Sequence, residues 1–495
     1  MKKAADNETL RVWNGAAPIY KEGVAKELED KGINDRWVRM ILENAPCKER
    51  LKILDIGTGP GFFTINFAKA GHDVIGIDIS PEMVRVANEN AKDNGVPCEF
   101  RLMNANTLDF PDDTFDLIIN RYVSWTLPDL YDCYKEWRRV LVPNGKIILF
   151  DSNHYLCHFD EKEAKAMRLY MRQHILDGGP ELTERFDFHV RYKYWEECIP
   201  NIGIERPSYD LGLFNKLRFI NYFAVPNPFG DEYRDRGTSG ELFMLCAEKP
   251  SPDQENDFIV NEYWEAISGA VSARAVKMIR SGKAKEYADE ISRYIPGDAK
   301  VLDIGTGSGT VAIPLAEMGY DVTGIDRAPA MIDMAKLTAK EMGAKVRWKV
   351  ADAEGLPYKD GKFDAVVIRN VIWNSYRPQK IVCEASRVLK KGGVLIITDG
   401  NWQADIDEWQ KDGGDDGVFP NYRRRDLGLG SAGVIDQYYG RLPLNKVKRP
   451  KWDEEAVSKA SLKIEVCERY RDPMVTEELA PVLKPGFIVV ARKEV

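Results

Sequence analysis

Short apolar runs at Lys52–Ile56, Asp73–Asp78, Cys98–Leu102, Phe115–Asn120 and Lys146–Asp151 are too brief for helices and are bounded by Gly, Pro, Asn or Asp, the pattern of buried strands. Between them, apolar residues recur at helical spacing over Gly61–Ala70, Pro81–Asn94 and Leu130–Leu141. The middle segment opens on Pro and closes on Asn-Gly, which suits a helix with Pro in its first turn. Pro143-Asn144-Gly145 predicts a turn before the last strand. Strands separated by helices of this length predict a doubly wound α/β domain, a parallel sheet covered on both faces.

The same order recurs from Lys300 to Asp399. Asp55 returns as Asp303, an offset of 248 residues, and that offset holds without a gap through Asp78/Asp326, Phe115/Phe363, Trp125/Trp373 and Asp151/Asp399 to Asn153/Asn401. Solenoid repeats run about 20 to 50 residues, so each copy is a whole domain and the chain predicts two Rossmann-like domains in tandem. Residues 154–203 and 402–447 have little in common, yet Arg206-Pro207/Arg449-Pro450 and Phe243–Lys249/Phe487–Lys493 realign. The realigned ends predict closing antiparallel strands, each preceded by a variable lid. Lys-Pro-Ser-Pro-Asp-Gln-Glu-Asn-Asp has linker composition, which predicts domains at 1–249 and 258–495 joined by a linker at 250–257. A helical segment leads each core, with Trp13 and Tyr20 in the first and Trp264 in the second.

Composition narrows the partners. The 495 residues are 44% hydrophobic and 30% charged, enough to bury two cores. A net charge of −8 supplies no field for a phosphate backbone, which disfavours polymeric nucleic acid. The polar N-terminus and the lack of any apolar stretch near the roughly 18 residues of a membrane helix predict a cytoplasmic protein with no membrane contact. Eight scattered cysteines without a Cys-x-x-Cys pair predict reduced thiols.

The chemistry gathers at the glycine loops, Asp55-Ile56-Gly57-Thr58-Gly59-Pro60-Gly61 and Asp303-Ile304-Gly305-Thr306-Gly307-Ser308-Gly309. Glycines let backbone approach a ligand closely. An acid closing the next strand, Asp78 or Asp326, can accept both hydroxyls of a ribose, and the acid that opens the loop suits an ammonium better than a phosphate. With Phe115-Asp116/Phe363-Asp364 and Leu141-Val142-Pro143-Asn144-Gly145/Leu389-Lys390-Lys391-Gly392-Gly393, this set resembles the class I S-adenosylmethionine-dependent methyltransferases over both cores. The resemblance implies S-adenosyl-L-methionine as cofactor and S-adenosyl-L-homocysteine as product. It places Asp55 and Asp303 near the methionine end, with Gly57, Gly59, Gly61, Gly305, Gly307 and Gly309 around the ligand. Asp78 and Asp326 fall on the ribose, and Asn104 and Asp352 at the adenine amine.

Transfer from a sulfonium needs alignment and, for some acceptors, removal of a proton. Arg121 and Arg369 stand where ligands meet such sheets and can bind a carboxylate of donor or substrate, or form an ordinary ion pair. Asn120-Arg121-Tyr122-Val123 departs from the Asn/Asp-Pro-Pro-aromatic tetrapeptide of amino-methylating DNA enzymes. Tyr155 and His158, just beyond the fifth strand, can act as general base or bind the acceptor. His154, Cys157 and His158 can alternatively share a helix face with Asp160 or Glu161 as metal ligands, or lie on a plain lid surface; no metal is the favoured reading. All five histidines fall in the first half, so the halves are expected to differ in chemistry. The function expected is methyl transfer to a small molecule with two cofactor sites per chain. The alternatives are one catalytic half with a supporting partner, a cofactor-responsive binding protein, or a protein or RNA methyltransferase.

Overall fold

The computed structural model describes residues 2–153, 161–176, 204–230, 242–402, 405, 442–475 and 484–494. The chain divides into two compact units, Met1–Pro252 and Asp253–Val495. Unit 1 contains strands β1 Lys52–Ile56, β2 Asp73–Asp78, β3 Glu99–Leu102, β4 Phe115–Arg121, β5 Leu141–Asp151, β6 Ile220–Pro226 and β7 Phe243–Glu248. Unit 2 repeats them as β8 Lys300–Ile304, β9 Asp321–Asp326, β10 Arg347–Val350, β11 Phe363–Arg369, β12 Leu389–Asp399, β13 Leu462–Tyr470 and β14 Gly486–Lys493.

Each unit forms one seven-stranded sheet, ordered β3-β2-β1-β4-β5-β7-β6 and β10-β9-β8-β11-β12-β14-β13. The first five strands are parallel, and the antiparallel β7 and β14 run beside β5 and β12. Central strands are largely apolar and buried because helices cover both faces: β4 is buried from Phe115 to Asn120 and β11 from Ala365 to Ile368. The turn expected at Pro143–Gly145 is a bulge inside β5, where pairing with β4 steps from Phe115↔Leu141 to Leu117↔Lys146 and Asn144 takes a positive φ of 64°.

The linker expected at 250–257 is largely helical. A 29-residue helix starts at Pro252 and runs to Arg280, so the polar residues Asp253–Asp257 are its first turns. Proline and acids, which read as loop composition, equally suit a helix N-terminus. The leading helix of unit 1 spans Lys2–Glu29. Of the expected lids, the described parts are the helix Glu161–Leu176 and the turn Pro443–Lys446. No helix among the described residues is long and apolar enough to cross a membrane.

One buried ionic junction closes each sheet where the chain returns to it. Arg206 Nη1 lies 2.6 Å from Asp151 Oδ2, and its Nε and Nη2 fork onto Asp210 at 2.7 and 2.6 Å. Arg449 repeats this with Asp399 at 3.0 Å and Asp453 at 2.9 and 2.5 Å. The end carboxylate also accepts a backbone N–H from the 3-10 turn beyond the neighbouring strand: Trp125 N at 2.9 Å in unit 1, Trp373 N at 3.0 Å in unit 2. Asn153 and Asn401 hold the backbone carbonyl of the same arginine, at 2.8 and 3.4 Å, and both Arg-Pro bonds are cis. Removing one partner of a buried pair strands its charge, which costs about 3–5 kcal/mol. Arg449→Met is therefore expected to lower the stability of unit 2 by about that amount in urea unfolding, and adding Asp453→Leu should recover part of the loss.

Candidate functional site

The ligand ends of β1, β2 and β4 meet at the glycine loop. Gly57 and Gly305 have φ of 64° and 68°, and a Cβ on them would come within 2.4 Å of Val123 and 2.2 Å of Val371. These glycines are required by close packing against the turn after β4 or β11. Gly59 differs: its φ is 52°, and nothing lies within 4 Å of where its Cβ would stand. Gly307 faces only Val271, at 3.8 Å. At these positions the backbone faces open space, as a ligand that presses on the loop requires.

Asp78 and Asp326 tie that backbone to the next strand. Asp78 Oδ2 accepts from Gly59 N at 3.0 Å and Oδ1 from Ser80 N at 2.9 Å. Asp326 does the same with Gly307 N at 3.0 Å and Ala328 N at 3.1 Å. Burial pushes the Asp78 carboxyl up to about 6 against these hydrogen bonds, and Asp326 moves in the same direction. Open glycine backbone beside a buried carboxylate fits a nucleoside whose ribose hydroxyls need an acceptor.

Asp55 and Asp303 serve the loop rather than an open face. Asp55 Oδ2 accepts from Thr58 Oγ1 at 2.7 Å and from Thr64 Oγ1 at 2.8 Å, and Asp303 Oδ2 accepts from Thr306 Oγ1 at 2.6 Å. Both acids are 2% exposed or less and hold the loop's shape through these bonds. Desolvation drives their carboxyls up to about 6 and about 7, and the threonine hydroxyls pull them back.

Arg121 and Arg369 add to that pull from the ends of β4 and β11. Their guanidinium groups are already engaged. Arg121 pairs with Glu27 at 2.8 Å and lies over the Phe62 ring at 4.3 Å; Arg369 pairs with Asp472 at 2.7 Å and lies over Tyr287 at 5.6 Å. The fork expected to meet a substrate carboxylate is turned into the protein, where it offsets the buried loop acid.

Asn104 and Asp352 follow β3 and β10 directly. Each carboxamide or carboxylate oxygen accepts the N–H two residues on, from Asn106 or Glu354, at 2.9 Å in both units. Around Asp352 the second unit is ionic where the first is neutral. Arg327 stands at the register position of Ile79, with its Nη2 3.1 Å from Asp257 and 3.7 Å from Asp352, and Arg377 bridges Asp257 and Glu354. Tyr155 and His158, with His154, Cys157 and Asp160, lie outside the described residues. Among the described residues, no group of three or more His, Cys, Asp and Glu could hold a metal ion.

The leading helices reach this site, which the sequence did not indicate. Asn14 Oδ1 accepts from Ser80 Oγ at 2.6 Å, Ser80 Oγ itself caps Met83 N, and Trp13 stands edge-on to Trp125 at 6.3 Å. In unit 2 the cap position is Ala328, with no side-chain oxygen to accept from the helix N–H groups. Glu265 of the leading helix instead accepts from Ala330 N at 3.1 Å. A missing cap residue at Ala328 is the one local signal that a partner had to come from elsewhere.

The loop acids also set a pH dependence. An unfolded aspartate titrates near 3.9, so between about pH 4 and 7 the folded chain keeps a proton on Asp303 that the unfolded chain releases. Its contribution is complete below the unfolded value and is lost as pH rises through about 7. Asp303→Asn is expected to flatten that fall in stability, measured by urea unfolding between pH 4 and 8, and an unchanged slope would count against the shift.

A profile of the methyltransferase domain matches residues 54–149 and 302–397, the cores of both units. The uncharacterized methyltransferase YcgJ of Bacillus subtilis is 36% identical over 141 residues, 28% of this chain and 52% of that protein. A ubiquinone biosynthesis O-methyltransferase of Xanthomonas axonopodis is 31% identical over 141 residues, 28% of this chain and 56% of its own length. The chain thus spans about half the length of these relatives. Phosphoethanolamine N-methyltransferase 3 of Arabidopsis thaliana aligns over 375 residues at 26% identity, 72% of this chain and 70% of that one. The crystal structure of YcgJ superposes with a TM-score of 0.30 at 19% identity, over 43% of this chain and 97% of that one. Doubly wound sheets with matching glycine loops and strand-end acids, met by the same domain profile in each half, place the chain in the class I S-adenosylmethionine-dependent methyltransferases, two copies in tandem.

Proposed function

We propose that the chain transfers a methyl group from S-adenosyl-L-methionine to a small-molecule acceptor and that each unit binds one cofactor. The observation that carries this reading is the duplicated geometry of an open glycine, Gly59 or Gly307, hydrogen-bonded to a buried strand-end carboxylate, Asp78 or Asp326. Bound there, the cofactor supplies an activated methyl on a sulfonium, and Asp78 or Asp326 anchors its ribose. Asn104 and Asp352 would meet the amine of its base. The threonine and arginine partners of Asp55 and Asp303 keep the loop in shape, which fixes where the methyl points. Named acceptors among the relatives, in ubiquinone biosynthesis and phosphoethanolamine methylation, support a small molecule.

Calorimetry with S-adenosyl-L-homocysteine is expected to saturate near two per chain. Asp78→Ala and Asp326→Ala should each remove one site, since unpaired ribose hydroxyls cost on the order of 1–3 kcal/mol. Saturation near one in the wild type would favour a single catalytic half with a supporting partner.

Because every histidine lies in the first half, we further propose that His158 removes the acceptor's proton in unit 1, with Tyr155 as the alternative base or acceptor-binding group. Release of S-adenosyl-L-homocysteine from metabolite pools by the Asp326→Ala chain should rise with pH through about 6.5. His158→Ala should flatten that limb. The same limb in the Asp78→Ala chain would refute the assignment, because unit 2 holds no imidazole.

A further inference from the structure

The units differ at two neighbouring positions of the nucleoside site, and both changes go the same way. Ile79 follows Asp78 in unit 1, where Arg327 follows Asp326 in unit 2. Aligned on Trp13 and Trp264, the leading helices set Leu10 opposite Asn261. Asn14 and Glu265, the residues after those tryptophans, both reach the start of the helix beyond the strand-end acid, which supports the alignment. Unit 1 is therefore apolar at both positions and unit 2 polar at both.

The geometry brings Asn261 and Arg327 to one place. Asp257, Asn261 and Glu265 follow one another by a turn of the helix Pro252–Arg280, so they share a face. The outer two fix where that face looks: Asp257 Oδ1 accepts from Arg327 Nη2 at 3.1 Å, and Glu265 Oε1 accepts from Ala330 N at 3.1 Å. Asn261 lies between them, above the chain that leaves Asp326. Its Oδ1 is buried with no hydrogen-bond partner, and so is the Nε of Arg327. Asp257 is shared with Arg377 at 2.9 Å, and Asp352 stands 3.7 Å from Arg327 Nη2, near enough to attract the cation but too far for a hydrogen bond. One buried acceptor and one buried donor are thus left without partners beside the carboxylate that the resemblance places at the base. Unpaired buried polar groups are costly, and a ligand that supplies both partners removes the cost. A 6-aminopurine presents an N–H donor next to a ring-nitrogen acceptor on one edge, the complement of this pair.

We propose that Asn261 and Arg327 read the base of the cofactor in unit 2. Asn261 Oδ1 accepts from the 6-amine, which Asp352 shares, and Arg327 Nε donates to a ring nitrogen beside that amine. Unit 1, with Leu10 and Ile79, meets the same edge through apolar contact and does not read it at these positions. The proposal rests on the reading that each unit binds one cofactor.

The test takes one site at a time in the full-length chain, with Asp78→Ala reporting unit 2 and Asp326→Ala reporting unit 1, by calorimetry. The probes are S-adenosyl-L-homocysteine and three analogues changed only in the base: 1-deaza and 7-deaza, which remove in turn the ring nitrogens on either side of the amine, and 6-deamino, which removes the amine. Unit 2 is expected to lose at least about tenfold more affinity than unit 1 for one deaza analogue and for the deaminated one, because a group left unpaired opposite Arg327 or Asn261 is felt in unit 2 alone. Arg327→Ile should erase the excess for the deaza analogue and Asn261→Leu that for the deaminated analogue, with S-adenosyl-L-homocysteine itself still bound at unit 2. Equal losses in the two units, or an excess that persists in these variants, would overturn the proposal. The comparison between units needs no change at residues 261 or 327, so it decides the matter even where a variant fails to fold. An Asp78→Ala chain that binds no S-adenosyl-L-homocysteine overturns the two-site reading and this proposal with it, whereas binding without the excess overturns the base contact alone.

Discussion

Everything at the ligand end of each sheet hangs on a carboxylate that is out of reach of water. Asp151 in unit 1 and Asp399 in unit 2 close the fifth strand, fix the backbone of the turn after the fourth, and receive an arginine from the far side of the inserted segment. Burial disfavours the ionised acid and raises the Asp399 carboxyl, and the arginine offsets this. Removing one member alone strands the charge of another. This explains where the repeat breaks. The ungapped register ends at Asn153/Asn401, the residues that grip the arginine's backbone, and correspondence resumes at Arg206/Arg449. The junction clamps both ends of the insert, and what lies between them was free to diverge.

A second buried acid lies under each glycine loop, and the units neutralise it by different routes to the same geometry. Arg121 and Arg369 occupy equivalent strand ends, yet Glu27 comes from the helix before the core and Asp472 from the chain after β13. Each arginine thus links the loop acid to an element outside the minimal sheet, so the loop's shape depends on segments the duplicated core does not contain. Threonines at equivalent loop positions, Thr58 and Thr306, complete the support from within.

What the sequence revealed and what it hid follow from the range of the interactions involved. Strand and helix spans were legible because apolar spacing and Gly or Pro punctuation are local, and Gly57 and Gly305 were legible because their backbone demands no side chain. The fate of Arg121 was not, since its partner is 94 residues away; that of Arg369 was not, with a partner 103 residues away. A residue that looks poised for substrate in a one-dimensional pattern can be the counter-charge of a buried acid in three. Asp253–Asp257 misled for the opposite reason, because loops and helix starts favour the same residues. The Asn104/Asp352 difference was visible, but the surrounding exchange of Ile79 for Arg327 and Asn106 for Glu354 gains meaning only once Asp257 is seen to join them.

The helix after β2 starts with a side-chain cap and the helix after β9 without one, so the two units hold equivalent helix starts by different partners. Ser80 caps its own helix, and the leading helix of unit 1 adds the Asn14 contact to Ser80 and the Lys21 contact to Glu89. Ala328 cannot, and the N–H of Ala330 is satisfied by Glu265 on the element above. The start of that helix, next to Asp326, therefore takes the partner of a first-turn N–H from the leading element. The same sequence module, duplicated, thus holds one helix start from within and the other from a neighbouring element, through the replacement of one hydroxyl-bearing residue by alanine.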